Sequence, residues 1–180
     1  MSARYLPAGD RGLVVEFGEA VSLEINNQVR ALALALEAAA IPGLIDVVPT
    51  YRSLGIEYDP QALSFADVER KVREVAGRLD PGALPGPKRV EIPTAYGGIY
   101  GPDLPFVAEH AGLSEGEVIR LHSQTIYHVY MIGFSAGFAY LGGLPEPLHT
   151  PRLSTPRIKV PKGSVAIGGG QTGAYPAETP

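Results

Sequence analysis

The side chains able to do chemistry are concentrated in the second half of this 180-residue chain, where glycine, aromatic and basic residues recur at short spacing. The densest stretch is 133–144, in which Phe134, Phe138 and Tyr140 alternate with glycines. Glycines let backbone N–H groups approach a ligand closely, and interleaved aromatics can line an apolar pocket. The same letters also suit a tight barrel corner with the three aromatics in the core. The stretch is not a phosphate-binding loop, because no Gly-Lys-Ser/Thr closes it. Gly133-Phe134-Ser135-Ala136-Gly137 matches the letters of a nucleophile elbow. That motif needs a helix after its serine, and residues 138–147 are too rich in glycine and proline to supply one.

Two Pro-Arg pairs follow five residues apart, Pro151-Arg152 and Pro156-Arg157, with Lys159 and Lys162 beyond them. Guanidinium groups on stiff backbone suit a carboxylate or a phosphate, although a solvated basic loop has the same composition. The run Gly168-Gly169-Gly170-Gln171-Thr172-Gly173 is either a backbone nest for an anion or a flexible hairpin. Of the four histidines, His110 and His122 fall on or at the ends of predicted helices and His149 in a loop. His128 lies in a predicted strand, on its polar face with Tyr130, and is the one histidine suspected of chemistry. None has zinc-ligand spacing, so no metal site is expected. No carboxylate pair for acid–base work stands out in this half, and Glu16 and Asp46 are expected to face solvent.

The elements that must position these residues divide at a linker. Before it, strands are expected near 4–8, 13–17, 45–48 and 54–58, with helices after Ser22 and Ser64. Ile25, Val29, Leu32, Leu36 and Ala40 form one apolar stripe, stopped by Pro42-Gly43. The order strand, strand, helix, strand, strand, helix predicts an antiparallel sheet covered by two helices. Residues 81–87 hold three prolines and two glycines, the composition of a linker. The predicted boundaries are therefore a domain over 1–80, a linker over 81–88 and a second domain over 89–180. In the second domain, strands are expected at 90–92, 126–132, 158–160 and 164–167, and helices at 103–111 and 114–122. Many short strands with glycine and proline between them point to a barrel or folded sheet.

Composition excludes several classes. Net charge is −4, so nothing draws nucleic acid or an anionic membrane. There is no cysteine, which removes disulfides, thiolate catalysis and thiolate zinc sites. The most apolar stretch, 31–45, is interrupted by Glu37, Pro42 and Gly43 and is too short to span a bilayer. No secretory signal is read at the amino terminus, and the expected compartment is the cytoplasm.

The ordered set Tyr96-Gly97-Gly98, Gly101-Pro102-Asp103-Leu104, Val118-Ile119, His122, residues 127–144, the two Pro-Arg pairs, residues 160–167 and Tyr175-Pro176 resembles the B-subunit family of bacterial 5-oxoprolinase. That family is also called KipI-like inhibitors of sporulation histidine kinase, or allophanate hydrolase subunit 1. The resemblance covers essentially the whole chain. It implies an α+β protein: a ferredoxin-like amino-terminal domain followed by a cyclophilin-like β-barrel. It further implies partnership with the KipA-like C-type and the A-type subunits of 5-oxoprolinase, the assembly opening 5-oxoproline to glutamate at the expense of ATP, with magnesium as its companion ion. Under that reading Arg152, Arg157 and Lys159 meet phosphoryl or carboxylate charge. Gly168, Gly169, Gly170 and Gln171 supply polar donors, Phe134 and Phe138 line the pocket, and His128 or Tyr140 orients the substrate. The isolated chain is expected to be inactive. Two other functions fit the same residues: a regulatory protein that blocks histidine kinase autophosphorylation through an apolar groove at 134–144, or a carboxyltransferase-type module of a urea carboxylase or allophanate hydrolase system. Two departures from the family pattern are visible. Ala136 stands where the family usually has proline, and the family continues past Tyr175-Pro176 with Gly-Gly-Trp and a further strand, so the expectation is either a truncated chain or a barrel whose sheet a partner completes.

Overall fold

The computed structural model describes residues 3–80, 82 and 84–179. The expected linker over 81–88 and the expected end at 180 therefore lie partly outside the described residues. The chain divides into two compact units, Met1–Lys88 and Arg89–Pro180.

In the first unit the strands β1 (Arg4–Pro7), β2 (Gly12–Glu16), β3 (Leu44–Pro49) and β4 (Ser53–Tyr58) form an antiparallel sheet in the order β1-β2-β4-β3. Alternation along β2 and β4 sends Leu13, Val15, Leu54, Ile56 and Tyr58 to one side. Helices α1 (Leu23–Ala39) and α2 (Phe65–Ala76) cover that side with Val29, Leu32, Leu36, Val68 and Val72. Ser22 caps α1 by accepting from the Ile25 N–H at 3.2 Å, and Ser64 caps α2 through Asp67 in the same way. Helix α1 ends at Ala40, a non-glycine residue in left-handed backbone (φ 43°).

Two polar residues of this unit are withdrawn from solvent, Glu16 against expectation. Asn26 is fully buried on α1, and its amide donates to the Thr50 and Tyr51 carbonyls, tying the helix to the β3–β4 turn. Glu16 does not face solvent freely: its side chain is 15% exposed, held by Arg4 at 2.6 Å and Arg52 at 3.2 Å. Desolvating one carboxylate between two guanidinium groups is tolerated because both pair with it. Asp46 is exposed, as expected, and accepts from the Val47 N–H.

The second unit carries α3 (Leu104–Ala111), α4 (Glu115–Gln124) and a second antiparallel sheet of β5 (His128–Ile132), β6 (Ala139–Gly142), β7 (Val165–Gly168) and β8 (Gln171–Ala174), ordered β5-β6-β8-β7. Ser114 and Glu117 complete both halves of a capping box at the start of α4. Leu104, Ala108, Val118, Leu144 and Leu148 make the core, with Ile167 bringing β7 against it.

No closed barrel forms among the described residues, because β5 and β7 remain sheet edges. Part of the reason is that 90–92, expected as a strand, enters no ladder and leaves Val90 and Ile92 69% and 61% exposed. Residues 158–160 likewise contribute a single bridge, Val160 to Thr179, in place of the expected strand. Among the described residues no helix is long and apolar enough to cross a membrane.

Candidate functional site

Register decides which candidate side chains share a surface. In the second sheet His128 lies opposite Gly142, Tyr140 opposite Met131, Leu141 opposite Thr172, Gly168 opposite Gln171 and Ala166 opposite Gly173. Successive residues of a strand point to opposite faces. Ile167 and Thr172 face α3 and α4, since Ile167 packs into the helical core and Thr172 bonds His122. Ala166, Gly168, Gln171, Gly173, Tyr140 and Gly142 must therefore address the other face.

On that outer face glycines serve as beds for larger groups. A β-bulge between Val129 and Met131 offsets Tyr130, whose ring lies where a Gly142 side chain would be. The Phe138 ring lies over Gly173, where an added Cβ would come within 2.8 Å of Cζ. The stem of Arg152 lies over Gly168, with Nε 3.3 Å from such a Cβ. The outer face thus carries a polar row running His128, Tyr130, Gln171 and Arg152, beside an apolar row of Met131, Tyr140 and Phe138. His128 and Tyr130 meet edge to face at 4.9 Å. Phe138 makes similar T-shaped contacts with Phe134, Tyr140 and Tyr175 at 5.2–5.4 Å.

Phe134 sits at the rim of this cluster, 68% exposed and at φ 62°, in a tight turn where the Ser135 N–H donates to the Gly133 carbonyl at 2.7 Å. Left-handed backbone is unusual for a phenylalanine. Ser135 is followed by turn, not helix, and the positive φ belongs to Phe134, so the geometry of a nucleophile elbow is not present.

The remaining sequence-derived candidates are placed elsewhere. Arg157 forms a bidentate pair with Asp103 beside α3, at 2.6 and 2.7 Å, which draws the aspartate pKa down from its ordinary value. Lys159 is paired with Glu178 at 2.8 Å. The Gly168-Gly169-Gly170-Gln171 stretch is a two-residue hairpin turn with Gly169 at φ 63°, and the Gly169 N–H is spent on the Thr150 carbonyl at 2.7 Å. That hairpin is not an open anion nest.

Spacing in the sequence also passed over one site. His122, 8% exposed, is held between Tyr96 and Thr172. The Thr172 hydroxyl donates to the Ala166 carbonyl at 2.9 Å, so it accepts from Nε2 at 3.0 Å, and Nδ1 accepts from the Tyr96 hydroxyl at 2.7 Å. Burial pulls the imidazole pKa below its ordinary value, and the ring is neutral with both nitrogens satisfied. The Tyr127 hydroxyl donates to the His122 carbonyl at 2.9 Å, and burial pushes that phenol up to about 12. Such a network fixes α4 on β8; a neutral, doubly bonded imidazole is a positioning group.

The class of protein is given by the family to which the chain belongs, that of carboxyltransferase domains, subdomain C and D, whose family model matches residues 3–180. Within it, the relatives are more particular. The chain is 40% identical over 192 residues to the 5-oxoprolinase B subunit of Bacillus subtilis, covering all of this chain and 80% of that one. It is 42% identical over 181 residues to the 5-oxoprolinase B subunit of Escherichia coli O157:H7, covering 99% and 80%. Among solved structures, TTHA0988 matches at a TM-score of 0.84 and 42% identity, over 94% of this chain and 33% of that one, so this chain spans about a third of that protein's length. Kluyveromyces lactis urea carboxylase matches at a TM-score of 0.70 but 18% identity, over 98% of this chain and 18% of that one, which is a likeness of fold.

Proposed function

We propose that the chain is the B-type component of an ATP-dependent 5-oxoprolinase, inactive alone and working in the cytoplasm with subunits of the A and C types. The observation that carries this reading is the 39–42% identity to proteins of that name across nearly the whole chain. The first unit is then a ferredoxin-like domain, and the second sheet is one wall of a cyclophilin-like barrel.

The outer face suits the lactam side of the reaction. A five-membered lactam presents a flat apolar ring, an amide and a carboxylate. Tyr140, Phe138 and Met131 offer the ring a surface, while His128, Tyr130 and Gln171 make the strip beside it polar. Of the three basic candidates, only Arg152 would remain uncommitted for the triphosphate of ATP. Arg157 and Lys159 already neutralise carboxylates, and the Gly169 N–H is bonded to Thr150. ATP, with its magnesium, is therefore assigned to a partner protein of the assembly, and this chain's part is to hold and orient the lactam.

The test is 5-oxoproline-dependent ATP hydrolysis and glutamate release by the chain alone and together with its A- and C-type partners. Activity confined to the full mixture is the expected result. A folded, assembled and silent complex removes the reading. The family match favours one second reading, a module of a biotin-dependent carboxyltransferase, which predicts instead carboxyl transfer from carboxybiotin and no response to 5-oxoproline.

A further inference from the structure

We infer that Arg152 is the carboxylate-recognising residue of the outer face, and that this face selects small molecules bearing a carboxylate one ring away from an amide. The inference rests on the 5-oxoprolinase reading and names what in this chain sets its substrate class.

Three observations meet at Arg152. First, it carries a charge that nothing among the described residues neutralises. Arg157 is paired with Asp103 and Lys159 with Glu178, whereas Arg152 makes neither an ion pair nor a hydrogen bond there. The four strands of the sheet, HVYMI, AYLG, VAIG and QTGA, contain no aspartate or glutamate, so the face brings no carboxylate of its own.

Second, the backbone holds Arg152 in place. Thr150, 3% exposed, accepts the Gly169 N–H at 2.7 Å, and its hydroxyl donates to the Leu148 carbonyl at 3.0 Å. Pro151 then stiffens the step to Arg152. Gly168, having no side chain, lets the arginine stem lie against the sheet, with Cγ 3.4 Å and Nε 3.3 Å from where a Cβ would be. An arginine anchored so close to its head loses less freedom on binding than one on an open loop.

Third, the distance along the polar row fits a small ligand. Gly168, Gln171 and Gly142 occupy adjacent strands β7, β8 and β6. Two strand spacings, roughly 10 Å, separate the bed of Arg152 from the bed of Tyr130. A five-membered ring with hydrogen bonds at each end fills that span. The planar guanidinium fork takes a carboxylate with two parallel hydrogen bonds, and the rest of the ring then lies along the row toward Gln171 and Tyr130.

The experiment uses the reconstituted assembly with 5-oxoproline and with 5-oxoprolinamide, its neutral isostere. The wild-type assembly is expected to prefer the carboxylate in kcat/KM. Arg152→Gln is expected to raise KM for 5-oxoproline by about 10- to 100-fold, the worth of a hydrogen bond to a charged group, and to leave the amide unchanged. Arg152→Lys keeps the charge without the fork and restores part of the loss. Gly168→Ala displaces the stem and raises KM several-fold with kcat held, a split that loss of folding does not give. Equal use of acid and amide by wild type overturns the inference, as does an Arg152→Gln assembly with unchanged KM and unchanged melting temperature. A wild-type assembly inert on 5-oxoproline removes the substrate reading instead. Calorimetric titration of that assembly with glutarate then decides the carboxylate site: binding lost in Arg152→Gln keeps it, and no binding to wild type removes it.

Discussion

His122 illustrates how a single buried titratable residue couples pH to stability. Folding holds its pKa below the ordinary 6.5 because burial disfavours the imidazolium and both ring nitrogens are engaged. The unfolded chain binds the proton more readily, so stability is fully present above about pH 6.5. It is lost as pH falls from there through the depressed folded value. Equilibrium denaturation between pH 8 and 5, followed by a probe in the second unit, should show that decline. In His122→Phe the contribution disappears from the pH profile, and stability at pH 8 falls by about 1–3 kcal/mol because the Tyr96 and Thr172 hydroxyls lose their partner. An unchanged profile in the variant would assign the pH dependence to another group. Nothing in the sequence near His122 announced this role, since its partners lie 26 and 50 positions away. Arg157 shows the same limit from the other side. Its Pro-Arg context read as an anion site, but Asp103, 54 positions earlier, already occupies it.

At the scale of elements, what was legible followed from periodicity and capping. The strands and helices of the first unit are long enough for alternation and 3.6-residue spacing to be read, and the Ser22, Ser64 and Ser114 caps stand where the helices begin. The second sheet is harder, because β6, β7 and β8 are four residues each and their pairing is non-local. Val90 and Ile92 had the letters of a strand and no partner, so alternation alone misled. The candidate aromatics were found by composition. Their common face was not, because it depends on the β6–β8 register and on the bulge that offsets Tyr130. Gly142 gives that register a direct test. An alanine there drives its methyl into the Tyr130 ring, whose edge is already in the Cβ position. Overpacking of this kind costs about 1–3 kcal/mol. Gly142→Ala should therefore lower the melting temperature of the second unit and weaken 5-oxoproline binding in the assembly. Adding Tyr130→Ala should recover most of the stability but not the binding. If the double variant is no more stable than the single one, Tyr130 does not lie on Gly142.

Across the molecule, the two units differ in how much core each contains. Among the described residues, the buried cluster of the first unit draws only on residues up to Tyr58, Val68 and Val72 and includes eleven buried side chains. That of the second has five, all between Leu104 and Leu148. Each cluster is built from its own unit's residues. Hydrophobic burial is the main favourable term in folding, and it scales with the apolar area removed from water. The first unit should therefore remain folded under conditions that open the second, which leans on short strands, two exposed sheet edges and the His122 network. Hydrogen exchange measured by mass spectrometry along a denaturant series tests this. Amides of β2, β4 and α1 should hold protection to higher denaturant than those of β5–β8, giving two separate transitions. A single transition common to both sets would mean that the units stabilise one another. In the expected case a partner protein that binds the second unit should move the lower transition upward by mass action, leaving the upper one in place.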